Sequence, residues 1–473
     1  MNYGNLEKKL VDLFQEAACN IPSDVAEALI KARKKEKAGS LAHEIFSIQL
    51  ENMRQAQEKG RPMCQDTGIP VFYINCPKKS FDPKIIEVIN KATMIASKKV
   101  PLRSNTVRVS DNKNIGYNLP EINLDFQDRK DIEINFMLKG GGSENVSQIF
   151  KVAGSKRDET GIIKKAVQTV FEARGRGCSP GILGIAVAGS QTQALKNAKK
   201  MLLGKVGHKR NKLEEKIYKL SNQLGIGPYG LGGKTTILDV FVNDLSKSYR
   251  HPATFFVAVS YMCYADRKKT LAITDNRIAK MRNNERTRKI KFPKFDIDSS
   301  KYKIITAPIN KNYDLKAGDR VLLTGEITTA RDQAYNFLIN SKKKLDISNV
   351  IYHCGILRCG NCICSAGPTT SARMDEYGNK LINKYNIKAI IGKGGMKKIK
   401  TVFLEAFGGV GVIPANLMKI KKSYKREFGD PEAIWNINIK EPGMPLLVTR
   451  DKKGNDLYEK IENKSRKIYE AIN

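Results

Sequence analysis

Apolar residues recur every three or four positions near the start of the chain, which predicts amphipathic helices. Within Leu6–Ala17 and again within Leu41–Asn52, the apolar side chains fall on one helical face. Ser23 and Asp24, directly after Pro22, supply a helix start between these two stretches. The first sixty residues therefore read as a helical segment.

The pattern then changes to short apolar runs typical of strands. The runs "VFYINC" (71–76), "DIEINFML" (131–138) and "GILGIAVAGS" (181–190) each predict a strand. Basic amphipathic helices are predicted over 192–203 and 212–224.

A polar, basic stretch without periodicity precedes a second module in which short strands and helices alternate. Strands are predicted at "YKIITAPI", "RVLLTGEI" and "KAIIGKG", and helices at "ARDQAYNFLINSK" and "MDEYGNKLINKY". We therefore predict an N-terminal domain over residues 1–280, a linker over 281–300 and a C-terminal domain over 301–473.

The predicted fold class is α/β (α+β) with two domains. A length of 473 residues exceeds what one ordinary core organises, which supports the division. The composition, 41% hydrophobic and 28% charged, is that of a soluble globular protein. No apolar run approaches the roughly 20 residues of a membrane helix, so no membrane partner is expected.

The formal net charge of +35 calls for an explanation. The lysines of the protein are scattered along the chain, and no aromatic-rich RNA-binding motif accompanies them. A compositional bias and the steering of an anionic substrate both fit. A basic nucleic-acid-binding protein is the rival from another class, and we expect no nucleic-acid partner.

The amino-terminal residues lack the apolar core of a signal peptide and carry acidic side chains early, so we expect a cytoplasmic protein. A mitochondrial matrix form stays open as the alternative. The nine cysteines do not suggest a disulfide framework in such a compartment. Three of them, Cys64, Cys178 and Cys263, are isolated from one another.

The stretch "RPMCQDTGIP" places Cys64 beside Gln65 and Asp66 at a predicted helix-to-strand turn. A buried structural cysteine, a catalytic nucleophile and a metal ligand with acid–base groups beside it are three open interpretations. The segment "KGGGSEN" follows a predicted strand, and its glycines favour either an anion-binding nest or a flexible turn.

Other small-residue loops each carry one cation. They are "GPTTSARMD" with Arg373, "TARD" with Arg331, "GKGG" with Lys393 and "PLRSN" with Arg103. Arginine in such loops suits carboxylate recognition. By contrast, "GIGPYGLGGKTT" fails the spacing of a phosphate loop. The residues alone indicate a two-domain enzyme acting on a multiply charged anion.

In family order, the segments "CQDTG", "KGGGSEN", "GCSPGILGI", "LGIGPYGLGGKTT", "VSYMCYADR", "LKAGDRVLLTGEITTARDQA", "GPTTSARMD" and "GKGGM" resemble the class I, iron–sulfur-dependent fumarases and their L-tartrate dehydratase relatives. The resemblance covers nearly the whole chain. It implies a larger N-terminal, helix-rich cluster-binding domain fused to a smaller C-terminal domain of the swivelling type.

The resemblance implies a fumarate hydratase, a hydro-lyase of the tricarboxylic acid cycle that interconverts fumarate and L-malate. It assigns three metal ligands, Cys64, Cys178 and Cys263, to a [4Fe–4S] cluster whose fourth iron acts as a Lewis acid. Thr369 is the implied base at carbon, and Asp66 the implied acid at the departing hydroxyl. The implied substrate-binding residues are Gln65, Arg103, Lys139, Gly140, Gly141, Gly142, Ser143, Glu144, Asn145, His251, Arg331, Thr370, Ser371, Arg373 and Lys393.

The sequence also departs from the family pattern. Tyr335 stands where the family commonly has a histidine, and Ser179 replaces a proline after Cys178. The thiol-rich segment "YHCGILRCGNCIC" is no family feature. We interpret it as a group of reduced cysteines, with a zinc or second cluster site as the alternative. A homodimer is expected, and an L-tartrate dehydratase or mesaconate hydratase is the nearest rival function.

Overall fold

The computed structural model describes most of the chain, and the following account is confined to these residues: 1–79, 81–100, 102–103, 106–111, 113–116, 120–153, 159–243, 254–274, 277–278, 290–293, 295 and 298–472. The predicted linker lies mostly outside them. Three of its described residues, Ile290, Phe292 and Phe295, pack against the core of the first half of the chain.

The first half contains helices and strands in mixed order. Its helices are α1 (Tyr3–Cys19), α2 (Ser23–Lys35), α3 (Leu41–Lys59), α4 (Lys84–Lys99), α5 (Gly141–Glu144), α6 (Glu159–Ala173), α7 (Gln191–Met201) and α8 (Lys212–Gln223). Its strands are β1 (Ile69–Pro77), β2 (Val107–Arg108), β3 (Lys113–Asn114), β4 (Glu121–Gln127), β5 (Ile132–Lys139), β6 (Gln148–Ala153), β7 (Gly181–Ala188), β8 (Ile237–Val242), β9 (Thr254–Met262), β10 (Lys268–Thr274) and β11 (Arg277–Ile278).

The helical start of the chain is confirmed, and its ends follow from local chemistry. Ser40 caps α3 by accepting a hydrogen bond from the backbone N–H of His43. Gly60 ends α3 in the left-handed conformation, with φ of 60°, which glycine adopts without a Cβ penalty. The chain turns there toward Cys64 and enters β1.

Two sheets organise the first half. One has the order β11-β10-β5-β1-β4, with β1 parallel to β4 and antiparallel to β5. The other has the order β6-β9-β7-β8. Every residue of β7 is buried, as the apolar run "GILGIAVA" predicts for a central strand. The predicted strands β1, β5 and β7 are thus confirmed.

The second half is built around one mixed sheet, with the order β12-β13-β14-β17-β18-β20-β19. The strands of the second half are β12 (Lys303–Ala307), β13 (Arg320–Thr329), β14 (Val350–Tyr352), β15 (Cys354–Cys359), β16 (Cys362–Pro368), β17 (Ala389–Gly392), β18 (Val402–Glu405), β19 (Met418–Tyr424) and β20 (Ile434–Arg450). Of these, β15 and β16 form a separate two-stranded sheet. The helices of the second half are α9 (Asp332–Asn340), α10 (Asp375–Tyr385), α11 (Val412–Leu417) and α12 (Leu457–Ile472). The predicted α/β fold class is confirmed.

The last helix, α12, ties the second half to the first. Tyr469 stacks on Phe171 with ring centroids 4.4 Å apart, and Glu462 accepts a hydrogen bond from Arg174 at 2.5 Å. Tyr458, in the first turn of α12, packs beside Gly230, where an added Cβ would lie 3.4 Å from its ring. The two halves therefore share a packed seam.

The thiol-rich segment forms a hairpin of β15 and β16, and the structure joins Cys359 and Cys364 in a disulfide. Their Cα atoms are 5.7 Å apart. The interpretation of this segment as reduced cysteines is therefore wrong for this pair. Cys354 and Cys362 remain free thiols. Within the described ranges, no helix has the length and apolar character that crossing a membrane requires.

Candidate active site

The turn that carries Cys64 lies at the seam between the two halves. Asn52 of α3 donates from Nδ2 to the backbone oxygens of Met63 and Gly409, each at 3.0 Å. The backbone N–H of Gly411 donates to the same Met63 oxygen at 2.9 Å. Residues of the second half thus hold the turn in place, which keeps Cys64 facing loops from both halves.

The structure brings Cys64, Cys178 and Cys263 into one cluster of side chains. Cys178 and Cys263 are each 8% exposed, and Cys64 is half-buried against the same core. Burial raises the pKa of the Cys64 and Cys263 thiols, the second to about 12, and Arg267 opposes that rise. A negative charge on Cys178 raises the pKa of Cys64 and of Cys263, so the three thiols lie within electrostatic reach.

Cations and a close backbone surround these thiols. Lys393 donates from Nζ to Sγ of Cys178 at 3.1 Å. An added Cβ on Gly408 would lie 2.6 Å from that Sγ and 2.6 Å from Cδ of Lys393, so only glycine fits there. Lys393 thus places a positive charge directly beside Cys178.

The described residues contain no group of three or more His, Cys, Asp or Glu arranged to hold one metal ion. One ion draws its thiolates together, because each lies within one metal–sulfur bond of it. Thiolates on separate irons of a cluster are spaced more widely. The chemistry of an all-thiolate set of three neighbouring cysteines fits a multi-iron cluster.

Asp66 follows the cysteine turn and is held by backbone N–H groups. Its Oδ2 accepts a hydrogen bond from the N–H of Gly141 at 2.9 Å, and its Oδ1 accepts one from the N–H of Gly68 at 3.2 Å. Burial alone would raise the pKa of the carboxyl. The charges of Arg103, Arg267 and Lys393 outweigh burial and lower it.

The "KGGGSEN" segment forms the loop around Asp66 and the short helix α5. An added Cβ on Gly140 would lie 3.5 Å from Oδ2 of Asp66, and one on Gly142 would lie 3.2 Å from Nζ of Lys393. The glycines therefore let the loop lie close against both charged groups. Asn145, at the end of α5, is exposed and lines an adjoining cavity.

Lys139 takes a supporting position instead of facing a cavity. Its buried ammonium contacts the backbone oxygen of Tyr261 at 2.5 Å, Oγ of Ser143 at 3.3 Å and Oε2 of Glu144 at 3.1 Å. The first two contacts are hydrogen bonds, and the third is an ion pair. Lys139, Ser143 and Glu144 thus brace the loop next to Cys263.

Thr369 lies where β16 ends, with 7% of its surface exposed. Its Oγ1 accepts a hydrogen bond from Nη2 of Arg373 at 2.8 Å. The same guanidinium pairs with Asp332, from Nη2 to Oδ2 at 2.8 Å and from Nε to Oδ1 at 3.1 Å. Asp332 therefore fixes the direction in which Arg373 presents its N–H group to Thr369.

Arg331 and Gln65 carry buried polar atoms without a partner. Arg331 is 6% exposed and bonds Glu432 through Nη2 at 3.1 Å. Within the described residues, its Nε and Nη1 and the Oε1 of Gln65 have no hydrogen-bond partner. Both side chains crowd Gly355, where an added Cβ would lie 2.5 Å from Gln65 Oε1 and 3.1 Å from Arg331 Nη1. Buried orphan atoms that converge in this way fit a polar ligand.

Arg103 adds a further buried cation near these groups. Burial, together with the charge of Arg331, lowers its pKa to about 10, at which the guanidinium remains positive in neutral solution. A cavity of about 320 Å³ adjoins the site and is lined by Gly142, Asn145, Arg176, Thr370 and Arg373, among others. The site is thus reached between the two halves of the chain.

Three further predicted residues remain to be placed. The hydroxyl of Ser371 is buried against His353, at 2.8 Å from Nδ1, behind Thr369. His251 lies outside the described residues. Thr370 lines the cavity and pairs with Lys393 in a parallel bridge.

The sequence reasoning assigned no role to Arg267 and Arg176. Arg267 is 1% exposed and donates from Nη1 to the backbone oxygen of Asp66 at 2.7 Å. The sequence feature that could have indicated Arg267 is its position in "CYADR", four residues after Cys263. Arg176 lies two residues before Cys178, and its exposed side chain lines the cavity.

Family comparison agrees with this site. A fumarate hydratase (Fumerase) family model matches residues 7–272, and a fumarase C-terminus model matches residues 271–461. A protein of Geobacillus stearothermophilus, provisionally named a class I fumarate hydratase, is 32% identical, covering 97% of this chain and 97% of its own length. The chain therefore belongs to the class I fumarate hydratase family.

Two subunits from Methanocaldococcus jannaschii are also similar. The one provisionally named the alpha subunit of L(+)-tartrate dehydratase is 39% identical, covering 55% of this chain and 94% of its own length. The one provisionally named the beta subunit is 41% identical, covering 34% of this chain and 90% of its own length. Fumarate hydratases and tartrate dehydratases are both hydro-lyases, and the family places this chain among them.

Proposed function

We propose that this protein is a fumarate hydratase that interconverts fumarate and L-malate. The observation that carries the proposal is the convergence at one seam of three thiols, the Thr369–Arg373 pair and the unpartnered buried atoms of Arg331 and Gln65. A dianion with two carboxylates matches several buried cations, because desolvated charges require partners of opposite sign.

Cys64, Cys178 and Cys263 would hold a [4Fe–4S] cluster. Their all-thiolate chemistry, and the positive charges of Lys393 and Arg267 beside them, fit such a group. When bound, the cluster supplies an iron without a protein ligand, which acts as a Lewis acid on substrate oxygens.

The chain's own residues bind and orient the substrate. Arg331 offers Nε and Nη1 to one carboxylate, with Gln65 beside it. Arg103 contributes positive charge, and Lys393 contributes it from the opposite half of the chain. These cations stabilise the negative charge that develops on the carboxylate next to the reacting carbon.

Proton movement falls to Thr369 and Asp66. In hydration, the hydroxyl of water adds to one alkene carbon, and Asp66 takes the remaining proton of that water. Thr369 delivers its hydroxyl proton to the other carbon. The resulting alkoxide is stabilised by the hydrogen bond from Arg373, whose charge favours the anion. In dehydration the two transfers run in reverse.

We further propose two domains, over residues 1–280 and 301–473, with the active site between them. The homodimer and the cytoplasmic location predicted from the sequence are kept as parts of this proposal.

L-tartrate dehydration is the second candidate, favoured by the 39% and 41% identity to the Methanocaldococcus subunits. Assays of anaerobically reconstituted enzyme on fumarate, mesaconate and L-tartrate in parallel separate the candidates. We expect the highest kcat/KM on fumarate. Strong turnover of tartrate with background turnover of fumarate would overturn the fumarase assignment.

A further inference from the structure

Three buried polar side chains form a chain of hydrogen bonds directly behind the proposed active site. Oη of Tyr335 lies 2.5 Å from Nε2 of His353, and Nδ1 of His353 lies 2.8 Å from Oγ of Ser371. Tyr335 is 1% exposed, and the other two are fully buried. Buried polar groups in such a network hold each other in one geometry, because each unmade bond is costly.

This network is bonded to the backbone of both reacting loops. The N–H of Thr369 donates to the backbone oxygen of His353 at 2.8 Å. Ser371 donates its N–H to the backbone oxygen of Lys393 at 3.0 Å, and its Oγ accepts the N–H of Lys393 at 3.3 Å. His353 thus fixes Thr369 through its main chain, and Lys393 through Ser371.

The contact between Ser371 and the Lys393 loop leaves little space for movement. An added Cβ on Gly392 would lie 1.9 Å from Oγ of Ser371 and 3.2 Å from Nδ1 of His353. The residues of this segment that line the cavity are Thr370, Ala372 and Arg373. Ser371 therefore acts from inside the core.

The His353 ring holds its partners without a charge. Burial lowers its pKa to about 3, with a smaller, opposing effect of Asp332 and a further lowering by Arg373. A neutral imidazole has one donor and one acceptor nitrogen, which serves two hydroxyl partners at once.

We propose that His353, Tyr335 and Ser371 are positioning residues, a buried relay that sets Thr369 and Lys393 for proton transfer and carboxylate binding. This inference rests on the proposed function of Thr369 and Lys393. It assigns Ser371 a place behind the site, in contrast to the substrate contact that the family resemblance implies.

The test compares Ser371→Ala with Ser365→Ala in the reconstituted, iron-loaded enzyme. Ser365 is a matched control because it lies in β16, is fully buried and, among the described residues, has no hydrogen-bond partner for Oγ. We expect Ser371→Ala to lower kcat by about 10–100-fold with bound iron unchanged, since small misplacements of reacting groups are costly. Ser365→Ala should change kcat by less than about twofold.

A double-mutant cycle tests whether the residues act as one relay. If His353 acts through Ser371, the loss of kcat in His353→Asn/Ser371→Ala should be smaller than the product of the two single losses. Independent, multiplicative losses would contradict the relay. Equal kcat for Ser371→Ala and Ser365→Ala would overturn the proposal.

A measurement that does not depend on enzymatic turnover separates this inference from the proposed function. Hydrogen exchange should show faster exchange at the Lys393 amide in Ser371→Ala than in Ser365→Ala. Failure of the wild-type enzyme on every family substrate would refute the function and leave this measurement intact. Unchanged protection at Lys393 would refute the relay, whichever substrate the enzyme uses.

Discussion

Arg373 donates one hydrogen bond from Nη2 to Oγ1 of Thr369 at 2.8 Å, while Asp332 anchors the same guanidinium by two more. A hydroxyl exchanges a proton with carbon only if the alkoxide is stabilised, and the arginine supplies that stabilisation. Because Asp332 already holds the guanidinium in place, Arg373 need not reorganise during the reaction. The pair therefore defines the proposed base and its electrostatic support in one contact.

Replacing Thr369 by alanine should lower kcat by about 10²–10⁴-fold, the usual worth of a positioned acid–base group. Thr369→Ser keeps the hydroxyl and should retain most turnover. Thr401→Ala removes the same atoms from a buried threonine that bonds the Lys388 oxygen away from the site. That control should keep its turnover and its iron. Turnover by Thr369→Ala within a few-fold of wild type would contradict the assignment.

Replacing any one of Cys64, Cys178 and Cys263 by serine should abolish the brown colour and most of the bound iron, because serine lacks the thiolate ligand. Cys76→Ser is the matched control, since Cys76 is also buried but lies near the end of β1 and is not a proposed ligand. Iron analysis of anaerobic preparations measures the outcome. Full iron in Cys178→Ser would show that the ligand set is different.

Gly408→Ala should disrupt the site, although Gly408 itself has no proposed catalytic role. Its new Cβ would lie 2.6 Å from Sγ of Cys178 and 2.6 Å from Cδ of Lys393, so one of them must move. We expect at least a tenfold loss of kcat/KM, which corresponds to about 1.4 kcal/mol. The control is Gly4→Ala in α1, whose new Cβ would lie 3.6 Å from Oδ1 of Asn2; it should leave kcat/KM unchanged. Equal effects of the two variants would contradict the close approach.

Glu405 makes stability depend on pH with a definite sign. Burial raises the pKa of its carboxyl to about 8, against the opposing hydrogen bond from Gly394. Because the folded pKa lies above the unfolded one, this group's stabilisation is present below about pH 4.5 and is lost as pH rises through about 8. The midpoint of thermal unfolding of Glu405→Gln should therefore fall less than that of wild type between pH 5 and pH 8. Parallel pH profiles would refute this prediction.

Local features of the sequence predicted most of the fold. The helical face of Leu6–Ala17 and the buried run of β7 are periodic patterns within one element, and both are observed. Helix α12 and the disulfide of the β15–β16 hairpin were not predicted. The order of strands in the sheets also depends on contacts between distant segments, which periodicity does not report.

The candidate site was only partly predictable for the same reason. The family resemblance named Cys178 and Lys393, but their contact joins residues 215 positions apart. The bond from Arg267 to Asp66 spans 201 positions, and no local pattern marks it. Lys139 sits in a motif typical of anion binding, yet the folded chain uses its ammonium to brace Tyr261.

The role of the three cysteines in catalysis is tested by measuring fumarate hydration and bound iron in the same anaerobic preparations of wild type and Cys178→Ser. We expect about four irons per chain and rapid hydration in wild type, and loss of both in the variant. Rapid hydration by an iron-free wild type, or by Cys178→Ser without iron, would contradict it.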